Sequence, residues 1–475
     1  FETYGKRVRP EADLCCYWFE KARQQIEDAK CKRAGLLATQ GIRGGANRDT
    51  LQRIKASGDI FFAESDRAWI LAGANVHVSM VGFDSGAEQS CVLDGRTVNE
   101  ITPQLNAESR IHTATIIPTN RGISFMGITP AGPFDVPSEI ALEWLVFPNP
   151  SGKPNSDVLR PYFNGNDLNK RPRQAWTVDF GTDMPLEAAA SYEQPFGYLE
   201  TEVRPTRAKN RREAYAKKWW IYAESRPAMR ESFASHARFL ATCMVAKHRM
   251  FVWLDTVSLP ANVVIVFGRS DDYCFGLLHS HFHEVWALKQ GTRLETRPRY
   301  TPTTCFETFP FPRPTPEQEA AIAAAAKELN ELRERWLNPP EWTVEKILEF
   351  PGSTNGPWAR YIDPSTVRQQ EPAGSALRTP HSAIGLVRYP RLEPRDAECA
   401  ARLKKRTLTN LCNERPAWLD LAHKKLDAAV AAAYGWPADL TDEQILEKLL
   451  ALNHERAAEE EKAAQGKAPR PSRQK

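Results

Sequence analysis

Apolar and polar positions alternate along this chain with two different periods. From Glu11 to Lys30, Leu14, Trp18, Ala22 and Ile26 recur every fourth residue, which predicts a helix with one apolar stripe. Ala34 to Thr39 reads as a short buried strand, followed by the loop QGIRGGAN (Gln40 to Asn47) and a helix over Arg48 to Ile54. Ile60-Phe61-Phe62 is a second strand. Val76 to Val81, with Val76, Val78 and Met80 alternating, is a third. Strand, helix, strand, strand is the order of one half of an open α/β sheet.

Further on, short strands are expected at Thr113 to Ile117 and Ile123 to Gly127, with a helix near Ser138 to Leu145. Asn164, Gly165 and Asn166 form a turn before a strand at Ala175 to Phe180, and Val263 to Phe267 is a strongly apolar β run. Thr315 opens a helix to about Trp336, with Pro316 in its first turn and Gln318 completing a capping box. The helix stops at Asn338-Pro339-Pro340. Phe350 to Glu398, rich in Pro, Gly and Ser, reads as a wrapping loop or linker. Trp418, Leu421, Leu426 and Val430 predict one side of a helix that breaks at Gly435. Thr441 caps the next helix, with Gln444 closing the box and Ile445, Leu449 and Leu452 as its inner stripe. Beyond Ala458 the composition is charged, then basic and Pro-rich, and predicts disorder.

Composition narrows the class. At 475 residues, with 42% hydrophobic residues, the chain has room for about two to four domains with packed cores. A net charge of +4 is small, so any nucleic-acid signal must be local. The nine cysteines lack a CxxC pair, which fits reduced cytoplasmic thiols rather than a disulfide scaffold or zinc site. No apolar run approaches the roughly 20 residues that span a bilayer, so no membrane partner is expected. The chain opens on Phe1 in a polar stretch with no signal peptide, and is expected to be a fragment of a longer protein.

Two segments carry candidate chemistry. After Gly291, Arg293, Glu295, Arg297 and Arg299 occupy every second position. On one extended strand all four would project from one face. Arg can bind guanine O6 and N7 in a bidentate way, and Glu can accept from cytosine N4. The same pattern with Pro298 also fits a solvated edge strand whose charges block aggregation. The most basic segment holds Arg204, Arg207, Lys209, Arg211 and Arg212, then Lys217 and Lys218, interleaved with Tyr215, Trp219, Trp220 and Tyr222. It suits phosphate contacts, and equally a solvated amphipathic helix with Trp219 and Trp220 in the core.

Other candidates are weaker. His279, His281 and His283 alternate as strand-borne metal ligands would, but no acidic or Cys partner sits at a suitable spacing, and packing beside Trp286 is the better reading. The glycines at 41, 44 and 45 lack the spacing of a nucleotide loop and fit a tight strand-to-helix turn. Asn338-Pro339-Pro340-Glu341 follows a helix and has an acid in its fourth place, which fits a helix stop. No catalytic, cofactor-binding or metal-binding residue is assigned.

Taken in order, several stretches resemble the MmeI-like family of adenine-specific DNA methyltransferases, often fused restriction-and-modification enzymes. They are Arg33 to Arg53, Asp59 to Phe83, LRPYFNGNDL, AWTVDFG, GLLHSHFHEVWALKQGTRLETRPRYTPTTCFETFPFP, and the ending from Pro416 to Ala457. The resemblance implies the C-terminal half of a Rossmann-like methyltransferase domain at 1–135, an α+β target recognition domain at 136–314, a helix plus linker at 315–400, and a small all-α module with a disordered tail at 401–475. It implies double-stranded DNA as partner. It also implies S-adenosylmethionine as cofactor of the intact protein, through a Gly-rich turn and an Asn-Pro-Pro-aromatic motif that this chain lacks. The fragment is then expected to be inactive alone and to supply target recognition in a restriction-modification or phage-defence system, with a partner chain or fused nuclease upstream. The alternative is a non-catalytic DNA specificity subunit.

Overall fold

The computed structural model describes residues 4–71, 74–106, 113–294, 297–368 and 383–466. They form two compact units, 1–115 with 441–454, and 116–440 with 455–475. Both mix helices and sheets, as the α/β reading requires.

The first unit contains α1 (Cys15–Glu27), β1 (Arg33–Thr39), α2 (Arg48–Ser57), β2 (Asp59–Leu71), β3 (Ala74–Asp84), β4 (Cys91–Leu93) and β5 (Arg96–Val98). The sheet order is β1-β3-β2-β4-β5. The expected order of elements is present, but β3 runs antiparallel to both β1 and β2, and only β2 and β4 pair in parallel. Phe19, Leu51, Ile54, Ile60, Val81 and Phe83 share one core. The expected stripe of α1 holds in its second half, where Ala22 and Ile26 pack on the core, but Leu14 is 75% and Trp18 58% exposed, and Cys16, Phe19, Glu20 and Arg23 are buried in their place. Two charged residues on the inner face disguise it. Glu20 accepts from Arg23 at 3.0 Å and from Arg53 at 3.1 Å, so the buried carboxylate is paired twice.

The second unit is built on two four-stranded sheets. One joins β6 (Ser124–Met126), β10 (Arg238–Cys243), β11 (Val252–Asp255) and β13 (Val264–Phe267) in the order β11-β10-β13-β6. The other joins β7 (Asp135–Val136), β8 (Leu159–Phe163), β9 (Trp176–Val178) and β12 (Leu259–Pro260) in the order β12-β8-β9-β7. Between their strands run α3 (Ser138–Val146), α4 (Gly165–Asn169), α5 (Leu186–Ala189), α6 (Glu193–Glu202), α7 (Arg204–Ala208), α8 (Glu213–Lys217) and α9 (Pro227–Ser232). The Asn164 turn is the N-cap of α4, with a complete capping box through Asp167.

The linker expected over 350–398 is largely a β-hairpin. β16 (Thr343–Ser353) pairs antiparallel with β17 (Ile384–Pro394) along its whole length. Phe350, Val387 and the following Trp358 enter the unit's core. Trp358 stacks on Trp176 at 5.7 Å and donates Nε1–H to the Leu159 carbonyl at 3.1 Å. Residues 369–382 of the expected linker lie outside the described residues.

Two helices of the module expected at 401–475 share the second unit with earlier helices. α10 (Asp272–His279), α11 (His281–Gln290), α12 (Pro316–Leu337), α13 (Ala397–Leu403), α14 (Leu408–Glu414) and α15 (Ala417–Tyr434) all belong to the second unit. At Gly276 a Cβ would meet Ala326 Cβ and Ile322 Cγ2 at 2.9 Å and Leu426 Cδ1 at 3.1 Å, so α10, α12 and α15 converge where only a hydrogen fits. The capping boxes at Thr315–Gln318 and Thr441–Gln444 form as expected. Leu421, placed on the inner side of α15, is exposed, and Leu419 and Ala422 are buried instead. α16 (Asp442–Gly466) carries helix past Ala458, where disorder was expected. Residues 467–475 lie outside the described residues.

Candidate nucleic-acid interface

The row from Arg293 to Arg299 is not one strand. β14 (Thr292–Leu294) and β15 (Arg297–Arg299) form a hairpin that reverses inside it. The register sets Arg293 opposite Pro298, and Thr292 and Leu294 opposite Arg299 and Arg297. Directly paired residues share a face, so the position of Arg293 falls on the other face from Arg297 and Arg299. Glu295 lies outside the described residues. Arg297 and Arg299 share one face and are exposed.

The hairpin stands on a rigid base. Gly291 feeds β14 where a Cβ would meet the Arg299 carbonyl at 2.6 Å and the Ala287 carbonyl at 2.7 Å. The Tyr300 N–H donates to the Met244 carbonyl at 2.8 Å, and the Ala246 N–H to the Pro298 carbonyl at 3.3 Å. Arg249 stitches strand to hairpin: its guanidinium donates to the Thr242 hydroxyl at 3.1 Å, the Cys243 carbonyl and the Pro298 carbonyl at 3.4 Å, and lies over the Tyr300 ring at 5.0 Å.

The three histidines belong to this base. His279 ends α10, and His281 and His283 open α11, so they do not share a strand face. His283 is packed against Phe251, Tyr300 and Phe309, with Trp286 on Phe309 in turn. Its Nδ1 lies 3.1 Å from the Leu278 carbonyl and its Nε2 3.1 Å from the Tyr300 hydroxyl. Burial pushes its pKa down to about 3, so the ring is neutral and bridges carbonyl to phenol. No cluster of three or more His, Cys, Asp or Glu suited to a metal occurs among the described residues.

The basic segment breaks into α7 and α8, with its cations in different roles. Arg207 was expected on phosphate. It is 1% exposed, donates to the carbonyls of Pro130, Tyr215 and Ile221, and lies over the Phe134 ring at 5.6 Å. A guanidinium spent on carbonyls in the core has no reach to DNA, so Arg207 is a structural residue. Arg204 is exposed, pairs with Glu200 at 2.6 Å and lies over Trp219 at 5.6 Å. Arg212 donates to the Tyr215 hydroxyl at 2.8 Å. Lys209 and Arg211 are exposed. Trp219 is in the core, and Trp220 donates Nε1–H to the Met184 carbonyl at 2.8 Å.

Lys247 was passed over in the sequence. It is exposed on the turn that hydrogen-bonds the hairpin, with Nζ 2.7 Å from Asn413 Oδ1. The basic triplet Lys247-His248-Arg249 directly after an apolar strand was the available signal.

The loop from Gly41 to Asn47 does not fit S-adenosylmethionine. Its polar groups are turned on one another: Asn47 donates Nδ2–H to Asp13 at 2.8 Å and to the Gly41 carbonyl at 3.2 Å. Asn338 caps α12, accepts from Arg171 at 2.9 Å and donates to Glu334 at 3.2 Å, in keeping with a helix stop. No helix among the described residues is long and apolar enough to cross a membrane.

The hairpin and its base lie in a segment that also resembles known proteins. Residues 153–313 match the family model described as MmeI, target recognition domain. The solved structure of the type IIL restriction-modification enzyme MmeI in complex with DNA superposes with a TM-score of 0.68 at 18% identity, covering 96% of this chain and 54% of that one. DNA methyltransferase A of Bacillus subtilis (strain 168) is 24% identical over 198 residues, 42% of this chain and 15% of that protein. The chain thus spans about half the length of the solved relative and a smaller part of the curated one. The resemblance to MmeI-like proteins read from the sequence is borne out.

Proposed function

We propose that this chain is the DNA-recognising part of a site-specific adenine-N6 DNA methyltransferase of a restriction-modification or phage-defence system. In this reading the first unit is the end of the Rossmann-like catalytic domain, and the second is the target recognition domain with its helical support. Arg297 and Arg299 face base edges in the major groove. Arg204, Lys209, Arg211 and Arg212 hold backbone phosphates, and Arg293 and Glu295 remain candidates from the sequence. S-adenosylmethionine belongs to the intact protein, bound by residues outside this chain. The observation that carries the reading is the match of residues 153–313 to the MmeI target recognition domain, in the segment that presents two exposed arginines on a pinned hairpin.

The chain is expected to shift a labelled duplex, with log affinity falling linearly with log salt as phosphate contacts release counterions. Binding that is absent, or indifferent to salt, rejects the reading.

A further inference from the structure

Within the second unit, α10 and α11, α12, and α14 and α15 enclose a cavity of about 320 Å³. That is the small end of the range that holds organic ligands, roughly 300–1,000 Å³. Its unusual wall is Arg333, a cation on α12 that is 3% exposed. Its Nη1 lies 2.7 Å from His279 Nε2 and its Nη2 2.9 Å from the Phe251 carbonyl, while its Nε–H has no hydrogen-bond partner. His279 supplies no charge. Its Nδ1 lies 3.1 Å from the Phe275 carbonyl and donates to it, so Nε2 receives the Arg333 proton as a neutral ring. No carboxylate among the described residues pairs with Arg333. Arg207 is buried on carbonyls in the same way, its Nε–H also without a partner, but Arg333 differs in lining a cavity that has room for a counter-anion.

The rest of the wall supplies the frame for such a group. Arg415 lines the same cavity, its guanidinium 3.1 Å from Asp420 and largely solvent-facing. Arg249 is also a wall, with its N–H groups already used on Cys243, Thr242 and Pro298. Two carboxyls oppose them. Glu284 faces His281 at 3.9 Å, and Asp427 accepts from the His281 N–H at 2.8 Å. Arg249, Arg333 and Arg415 face Glu284 and Asp427, and Arg415 shares Asp420 with Lys424, so one positive charge is left over. Leu278, Leu411 and Leu419 form its apolar side.

We propose that this cavity binds a small phosphate monoester, its phosphate oxygens on Arg333 and Arg415 and its organic part against Leu278, Leu411 and Leu419. Planar guanidinium matches the oxygens of phosphate in a bidentate way, and a group carrying up to two negative charges suits the excess of arginine. This inference stands apart from DNA recognition.

Calorimetric titration of the whole chain tests it, in chloride buffer at fixed ionic strength, with phenyl phosphate, inorganic phosphate and phenol as probes. Saturable 1:1 binding of phenyl phosphate is expected, about ten-fold tighter than inorganic phosphate, which lacks the ring. Arg333→Met should weaken phenyl phosphate by about ten-fold or more, and is expected to melt somewhat lower than wild type because the Phe251 carbonyl loses its donor. Should that variant fail to fold, Arg415→Gln decides, with a loss of about three-fold or more expected from a site nearer the solvent. No saturable phosphate binding, phenol binding as tightly as phenyl phosphate, or unchanged affinity in the folded variants overturns the proposal. Displacement of phenyl phosphate by a short DNA duplex overturns it as well, since the cavity would then belong to the nucleic-acid backbone.

Discussion

Arg207 Nη2 lies 3.0 Å from the carbonyl oxygen of Ile221. One of the cations in the most basic stretch of the chain therefore holds that stretch to its core rather than facing solvent. Arg207→Ala leaves buried carbonyls at Pro130 and Ile221 without their donor, at a cost of about 1–3 kcal/mol each. It is expected to lower the melting temperature clearly. Arg211→Ala, at an exposed position, should leave the melting temperature within error, weaken all duplexes alike and reduce the salt slope by about 1. Equal melting temperatures for the two variants would contradict the division.

Glu20 gives a prediction for the first unit. Burial works against its ionisation, but hydrogen bonds and charge from Arg23 and Arg53 outweigh burial and hold the carboxyl below its ordinary value. The folded state then binds this proton less tightly than the unfolded chain does. The stabilisation is present above the ordinary Glu pKa of about 4.3, and is lost as pH falls through the lower folded value. Glu20→Gln strips the buried partner from Arg23 and is expected to cost about 3–5 kcal/mol at neutral pH by denaturant unfolding. A loss that persists unchanged at pH 3 would show that the charge is not its cause.

Asp427 has the opposite sign. Burial is the main cause that pushes its carboxyl up, to about 6. Its folded form holds the proton more tightly than the unfolded chain, so stability at this site is full below about pH 4 and declines as pH rises through about 6. Asp427→Asn keeps an oxygen for the His281 N–H and removes the titration. The variant is expected to melt higher than wild type at pH 7.5 and alike at pH 4. Parallel pH profiles would rule this out.

Methyl transfer is expected to need residues beyond this chain. Incubated with duplex DNA and radiolabelled S-adenosylmethionine, the chain alone should transfer no label, because its Gly41 to Asn47 loop is closed on Asp13. Measurable labelling of adenine would overturn that expectation and relocate the cofactor site into the first unit.

What could be read from the sequence was local. The caps at Thr315 and Thr441 lie within three residues of their partners, so their geometry follows from the motif alone. What could not be read depended on distant partners. Leu14 and Trp18 look like a core stripe until Phe19 and the Glu20–Arg23–Arg53 cluster take the inner face of α1. The alternation from Arg293 to Arg299 reads as one strand, since nothing in the charges themselves marks the reversal between Leu294 and Arg297. Pro351, Gly352 and Pro390 made paired strands look like linker, although Phe350 and Val387 pair across them and reach the core. Arg207 and Arg211 are indistinguishable by composition, and only the carbonyls of Pro130 and Ile221 separate them.

The most direct measurement is selection of bound duplexes from a random pool by this chain and by Arg297→Ala. Wild type is expected to enrich one defined motif. The variant should enrich the same motif with a single position relaxed, at a cost of about 1–3 kcal/mol on the preferred duplex. A pool that emerges with no motif, or a variant whose motif is identical at every position, would contradict base reading by the hairpin.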